Sequence, residues 1–228
     1  MSVQLVQTEV YYPETDGLPM GETDTHITQI LDLLAVLREY FRNDPQVYVA
    51  ADLLVYYEEG NPKRFIVPDV FVARGVPDRR RRVYKLWEEG KGPDVVFEIS
   101  SESTMSEDLG AKKGLYAYLG VREYFLFDPL GEYLTPRLQS YQLVEGNYVR
   151  QRAEPLRSGI LGLELRAEGE ALSLYDPQSS RKLLTPAEQA AALQQAEAHA
   201  AQEALARQQA EAEVARLREE LERLKRGG

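Results

Sequence analysis

The 228-residue chain has no cysteine, and that absence removes disulfides, thiolate metal sites and cysteine nucleophiles together. It has only two histidines, His26 and His199, too few and too far apart for a histidine-rich zinc site. A Ser-His hydrolase would have to rely on His26. No apolar run approaches the length of a membrane span. The N-terminal stretch MSVQLVQTEVYYPETDG lacks the basic and apolar segments of a secretory signal, so the expected location is cytoplasmic and no membrane partner is expected. Any metal site must be built from carboxylates and carbonyls, which suits hard ions such as Mg2+ or Mn2+.

What is present is apolar material for a core, 43% of the residues, and a net charge of −10. Residues 181–228 hold eight acidic and eight basic side chains, so the first 180 carry the whole excess. An acidic body disfavours non-specific binding to nucleic acid, although a local basic surface stays open.

The chain reads as α/β (α+β), with a mixed sheet and flanking helices. Residues 24–43 carry Ile27, Ile30, Leu31, Leu34, Leu37 and Phe41 at helical spacing, with Asp24 or Thr25 placed to cap the start. The run VYVAADLLVYYEEGNPKRFIVPDVFVARG predicts a β-hairpin turning at Glu59-Gly60-Asn61-Pro62. Residues 77–92 are polar and basic, a loop or short helix. PDVVFEIS predicts a strand. After it, Thr104 and Glu107 fit a capping box for one helix from about Ser106 to Leu119, stopped by Gly120. VREYFLFDP is a further strand, and two hairpins follow, the first turning at Glu145-Gly146-Asn147.

The region 181–228 differs from residues 1–180. It is an alanine-rich helical tail in which Val214, Leu217, Leu221 and Leu224 repeat at 3-4-3 spacing, the seam of a coiled coil. Extended backwards, the frame meets Ala210, Arg207, Glu203, Ala200, Ala196 and Leu193, so only the last two heptads carry it. A solvated helix and an oligomerising one both fit; the expected oligomer is a homodimer through this helix.

Strand alternation puts Asp94, Val96, Glu98 and Ser100 on one face and Val95, Phe97 and Ile99 on the other. A carboxylate on so apolar a strand is costly unless it is paired. On the helix that follows, Asp108, Lys112 and Tyr116 share a face. Asp69, after Pro68 in IVPDVFV, is a second candidate acid. Asp69, Glu98 and Lys112 form a coherent set: two carboxylates to hold a divalent ion and a lysine to offset charge on a phosphate. For each residue a plainer role stands beside this one. Asp69 could be a strand-start residue, and Asp108–Lys112 a solvated helix pair. Asp94 caps the strand entrance, Tyr116 packs on the sheet, and Lys113 points away. Arg79 to Arg82, with Arg74 and Lys85, form the one basic cluster, free to meet phosphates or solvent. His26 is expected to be structural or hydrogen-bonded.

The runs YYPETDGLPMGETDTH, PDVFV, PDVVFEISSEST and EDLGAKKGLYAYLGVREYFLFDP resemble the Uma-type (Uma-two) endonuclease family of the restriction-endonuclease-like PD-(D/E)xK superfamily. The resemblance covers roughly residues 10–180. It implies a helix, a three-stranded meander, a crossover helix and a further strand around a carboxylate site. It also implies a Mg2+- or Mn2+-dependent endonuclease acting on DNA, with Asp69 and Glu98 as metal ligands and Lys112 catalytic. The superfamily lysine falls at Ser100; the family pattern instead uses a lysine four residues after an aspartate, here Lys112 after Asp108. Glu22 is a candidate additional acid. The alternative function is a catalytically inactive nucleic-acid-binding or assembly module of the same fold, and a tail-driven scaffold is a third.

Overall fold

The computed structural model describes residues 10–15, 23–101 and 104–226. Two compact units divide the chain, Met1–Leu183 and Leu184–Gly228. The first begins with helix α1, Asp24–Phe41. Its N-cap is Thr23 rather than either residue expected: extended backbone at Thr23 lets its hydroxyl accept from the His26 amide at 3.3 Å.

The predicted hairpin is present but divided between two sheets. Strands β1 (Val47–Ala51) and β4 (Val70–Arg74) pair antiparallel, while β2 (Val55–Tyr56) and β3 (Phe65–Ile66) continue the same hairpin in a smaller sheet. The bend falls where Asp52, with positive φ, gives its amide to the carbonyls of Pro68 and Asp69. Asp69 therefore sits at a break in the strand, where its side chain is not committed to the regular pleat.

Residues 77–92 contain the short strand β5 (Tyr84–Lys85) and one helical turn, α2 (Leu86–Glu89). The arginine cluster within this segment is not a uniform solvated patch. Arg81 is 3% exposed, forks onto Glu89 at 2.7 and 2.8 Å, and lies over the Tyr48 ring. Arg80 and Arg82 are exposed.

Strand β6, Val95–Ile99, pairs antiparallel with β4 and parallel with β7, Glu123–Phe127. A parallel neighbour requires a crossover. The crossover is two helices, α3 (Met105–Leu109) and α4 (Ala111–Tyr118), not the single one predicted. They break at Gly110, whose φ of −116° and ψ of −97° are not helical, and where a Cβ would come within 3.0 Å of the Ser106 carbonyl. The expected capping box is not formed either. The Thr104 hydroxyl accepts from the Ser101 amide instead of capping α3. The stop at Gly120 is a Schellman cap: Gly120 has φ +76°, and the Val121 amide bonds back to the Tyr116 carbonyl.

Strands β8 (Leu138–Val144) and β9 (Asn147–Arg150) complete a sheet of order β1-β4-β6-β7-β8-β9. Positive φ at both Glu145 and Gly146 gives their turn its tight two-residue form. The expected second hairpin, β11 (Leu163–Glu168) with β12 (Ala171–Asp176), lies in a four-stranded sheet with β10 (Leu156–Ser158) and β13 (Arg181–Lys182).

The central sheet has a core on each face. One is hydrocarbon: Leu33, Leu37 and Phe41 of α1 and leucines of the four-stranded sheet meet Val70, Val95, Phe97, Ile99 and Phe125. The other is rich in tyrosine, with Tyr48, Tyr84, Tyr116, Tyr124 and Tyr141 among Val96, Phe71 and Leu126. The second unit is a single helix, α5, Pro186–Arg226, which opens with a capping box between Thr185 and Glu188. No helix among the described residues is long and apolar enough to cross a membrane.

Candidate functional site

The antiparallel ladder that joins Val70 to Phe97 makes Asp69 the next opposing neighbour of Glu98. Asp69 Oδ2 accepts from the Ile99 amide at 2.6 Å, which fixes its carboxylate beside Glu98. Glu98 points from β6 into the tyrosine face and is 1% exposed. Lys112, reaching from α4, donates to Glu98 Oε2 at 3.1 Å and lies 3.1 Å from Asp108 Oδ1. The three residues singled out for chemistry, Asp69, Glu98 and Lys112, are thus brought to one place by three different elements.

Two residues judged plainer belong to the same cluster. The Tyr116 hydroxyl, one helical turn beyond Lys112, donates to Glu98 Oε1 at 2.5 Å. Asp108 is fully buried, and the Ser100 hydroxyl donates to its Oδ2 at 3.4 Å. The Tyr124 hydroxyl donates to the Asp108 carbonyl at 3.0 Å, which ties α3 to the sheet. Ser100 thus holds Asp108, while the ammonium beside Glu98 comes from Lys112.

A third addition is His26. It is buried on α1, with Nε2 3.4 Å from Asp69 Oδ2. The sequence held a signal for it, a polar residue in the first turn of an amphipathic helix, but nothing that tied it to Asp69. Glu22 lies outside the described residues. Lys113 turns onto the Tyr141 ring at 3.5 Å, away from the cluster. Asp94 caps the start of β6 as expected, accepting from the Arg74 amide, Lys91 and Arg122.

Electrostatics set these groups apart from ordinary surface charges. Burial pushes the Glu98 carboxyl well up, and the charge of Asp69 adds to it, against the pull of Lys112. Burial also raises Asp108. Burial disfavours the Lys112 ammonium, but Glu98, Asp108 and Asp69 outweigh it and hold the lysine firmly protonated. Three carboxyl groups face one ammonium, an excess of acidic groups over basic ones.

That excess suits a cation. Asp69 and Glu98 supply hard oxygen donors, and Mg2+ commonly binds through one or two carboxylates with water and phosphate oxygens completing the shell. Among the described residues no group of three or more histidine, cysteine or acidic side chains stands ready as a metal site. Asp108 is held by Lys112 and Ser100, and Glu98 by Lys112 and Tyr116.

A sequence profile of the Uma2 family, described as "Putative restriction endonuclease", matches residues 10–172. No curated protein matches the chain significantly. Among solved structures, the chain is similar to "a putative nuclease belonging to DUF820 from Anabaena variabilis ATCC 29413". The identity is 12%, the match covers 61% of this chain and 75% of that one, and the TM-score is 0.46.

Proposed function

The chain belongs to the Uma2 family, and on that premise we propose that it is a divalent-metal-dependent endonuclease that hydrolyses DNA phosphodiester bonds. The observation that carries this reading is the meeting of Glu98, Lys112 and Asp69 on one buried, negatively charged patch. Asp69 and Glu98 would hold Mg2+ or Mn2+. When bound, such an ion polarises a phosphate and lowers the pKa of a coordinated water.

The chain's own groups have distinct tasks. The Ile99 amide and His26 hold the Asp69 carboxylate in place. Tyr116 holds one oxygen of Glu98 and so fixes the other toward Lys112. Lys112, kept protonated by its neighbours, offsets the negative charge that builds on the phosphoryl oxygens as water attacks phosphorus and the P–O bond to the leaving sugar oxygen breaks. Asp108 positions the lysine. Exposed Arg80, with Arg79 paired to Glu89 and Arg82 paired to Glu14, offers phosphate contacts on an otherwise acidic body; Arg81 is spent on Glu89. Two copies joined through α5 would give two active sites, one for each strand of a duplex. The expected location is cytoplasmic.

One observation favours a second reading, a catalytically silent binding module. Both oxygens of Glu98 are engaged by protein donors, leaving a self-satisfied cluster. Calorimetric titration of Mg2+ and Mn2+ into wild type and Glu98→Ala, with DNA cleavage assayed in parallel, separates the two. Binding and cleavage lost together in the variant support the nuclease. Wild-type protein that takes up neither ion and cuts no DNA supports the silent module.

A further inference from the structure

Helix α5 runs from Pro186 to Arg226 with no buried residue among those described. Val214, Leu217, Leu221 and Leu224 are 47%, 50%, 52% and 74% exposed, a continuous apolar seam about 15 Å long. We propose that residues 213–225 form a parallel, in-register, two-stranded coiled coil with a second copy of this chain. The inference rests on the dimer proposed above and adds its orientation, which follows from charges flanking the seam.

With Val214 and Leu221 at a and Leu217 and Leu224 at d, the g positions are Glu213 and Glu220 and the e positions are Arg218 and Lys225. In a parallel pair each g residue meets the e residue five places on in its partner. That sets Glu213 against the arginine at position 218 and Glu220 against the lysine at position 225, on both sides of the seam. In an antiparallel pair g meets g and e meets e, which sets glutamate against glutamate and cation against cation. The same four residues that reward one orientation therefore oppose the other. Arg218, Glu220 and Lys225 are exposed, whereas Glu213 is paired with Arg216 at 2.8 Å on the helix surface and would exchange that partner for Arg218 of the second copy. Neighbouring charges off the seam, Arg226 and Glu222, are paired with each other. Val214 with Leu217 matches the β-branched a and leucine d pattern that favours two strands, while the second a position is Leu221. Upstream the frame brings Arg207 to a and Glu203 to d, so the seam ends near Ala210. A parallel seam joins the two chains at equivalent residues.

Sedimentation of the full chain at about 100 µM tests this. Wild type should dimerise. Glu213→Lys with Glu220→Lys puts cation against cation and should weaken the dimer at least about tenfold. Adding Arg218→Glu and Lys225→Glu to that variant reverses every pair and should restore the dimer, which excludes loss of helix as the cause. In a parallel dimer Leu224→Cys meets its own counterpart, so mild oxidation should give a disulfide-linked dimer in a chain that otherwise has no cysteine. A dimer indifferent to the double lysine change, or a Leu224→Cys variant that dimerises without forming the disulfide, overturns the parallel orientation and leaves the nuclease and the dimer standing. A monomeric wild type overturns the coil altogether, while cleavage assays on the same sample judge the nuclease separately.

Discussion

Asp94 and Glu98 stand four residues apart on the same face of β6, and both are buried, yet the protein treats them in opposite ways. Burial works against the Asp94 charge, but Lys91, the Arg74 amide and Arg122 outweigh it, so the carboxyl lies below its ordinary range. At the other end Glu98 meets two further carboxylates and only one ammonium, and its carboxyl lies well above that range. The first is a satisfied joint between strands. The second is held at a cost, which is the pattern expected where a cation or a reacting phosphate is to be accommodated. The lesson is that a strand carboxylate acquires its role from the donors brought to it, not from its own type or burial.

The contrast is broken most directly by activity. Glu98→Gln and Asp69→Asn should each lower DNA cleavage by about a thousandfold or more, because each removes one anionic donor from the proposed metal site. Asp94→Asn should leave cleavage within a few-fold of wild type. Single-turnover assays with Mg2+ would check this, and equal losses at positions 94 and 98 would contradict the division of roles.

Stability should follow the cations. Lys112→Met leaves Glu98 and Asp108 buried without a positive partner and should cost about 3–5 kcal/mol by urea denaturation. Arg122→Met should cost about 1 kcal/mol or less, since that side chain is 56% exposed and Asp94 keeps its other donors. Because of that cost, Lys112→Arg is the better variant for separating catalysis from folding.

The two carboxylates should also bend the pH profile in opposite senses. Asp94 is lowered, so its contribution is present above the ordinary value of 3.8 and is lost as pH falls through its folded value. Glu98 is raised, so its contribution is full below the ordinary value of 4.5 and is lost as pH rises through its folded value. Denaturation across pH 3 to 8 (an experimental range of about five units) should show Glu98→Gln gaining on wild type as pH rises. Asp94→Asn should fall behind wild type only at the acid end, as pH rises toward the ordinary value of 3.8, and keep a constant deficit above it.

The smallest effect concerns the hydroxyl on Glu98. Tyr116→Phe keeps the ring on Tyr124 but removes a donor to the carboxylate. It should cost about 1–2 kcal/mol and raise the Glu98 titration further, readable by NMR of the labelled side chain.

Much of this architecture was legible in the chain. Periodicity found α1, alternation put Val95, Phe97 and Ile99 on one face of β6 and Glu98 on the other, and Gly120 marked a helix stop. These features depend on residues close in sequence, where spacing and backbone preference act directly. The motif resemblance also brought out Asp69, Glu98 and Lys112, although their chemistry stays a proposal. What it missed depends on contacts between distant segments. Thr104 and Glu107 match a capping box as well as Thr185 and Glu188 do, yet only the second pair forms one, because the Ser101 amide takes the Thr104 hydroxyl. The Arg79 to Arg82 run looks uniform until Glu89 and Tyr48 bury one member of it.

Spacing along the chain was enough for α1, the strand character of β6 and β7, the alternation of faces on β6, the absence of thiol and histidine-cluster chemistry, and the apolar seam of α5. Packing of distant segments set His26 beside Asp69, brought Tyr116 and Asp108 into the cluster, and surrounded Asp94 with donors that lower its carboxyl while burial and Asp69 raise that of Glu98. The reason is physical. Local structure follows from backbone preference and side-chain spacing within a few residues, whereas the state of a buried charge follows from which distant donors and carboxylates the packed chain sets around it.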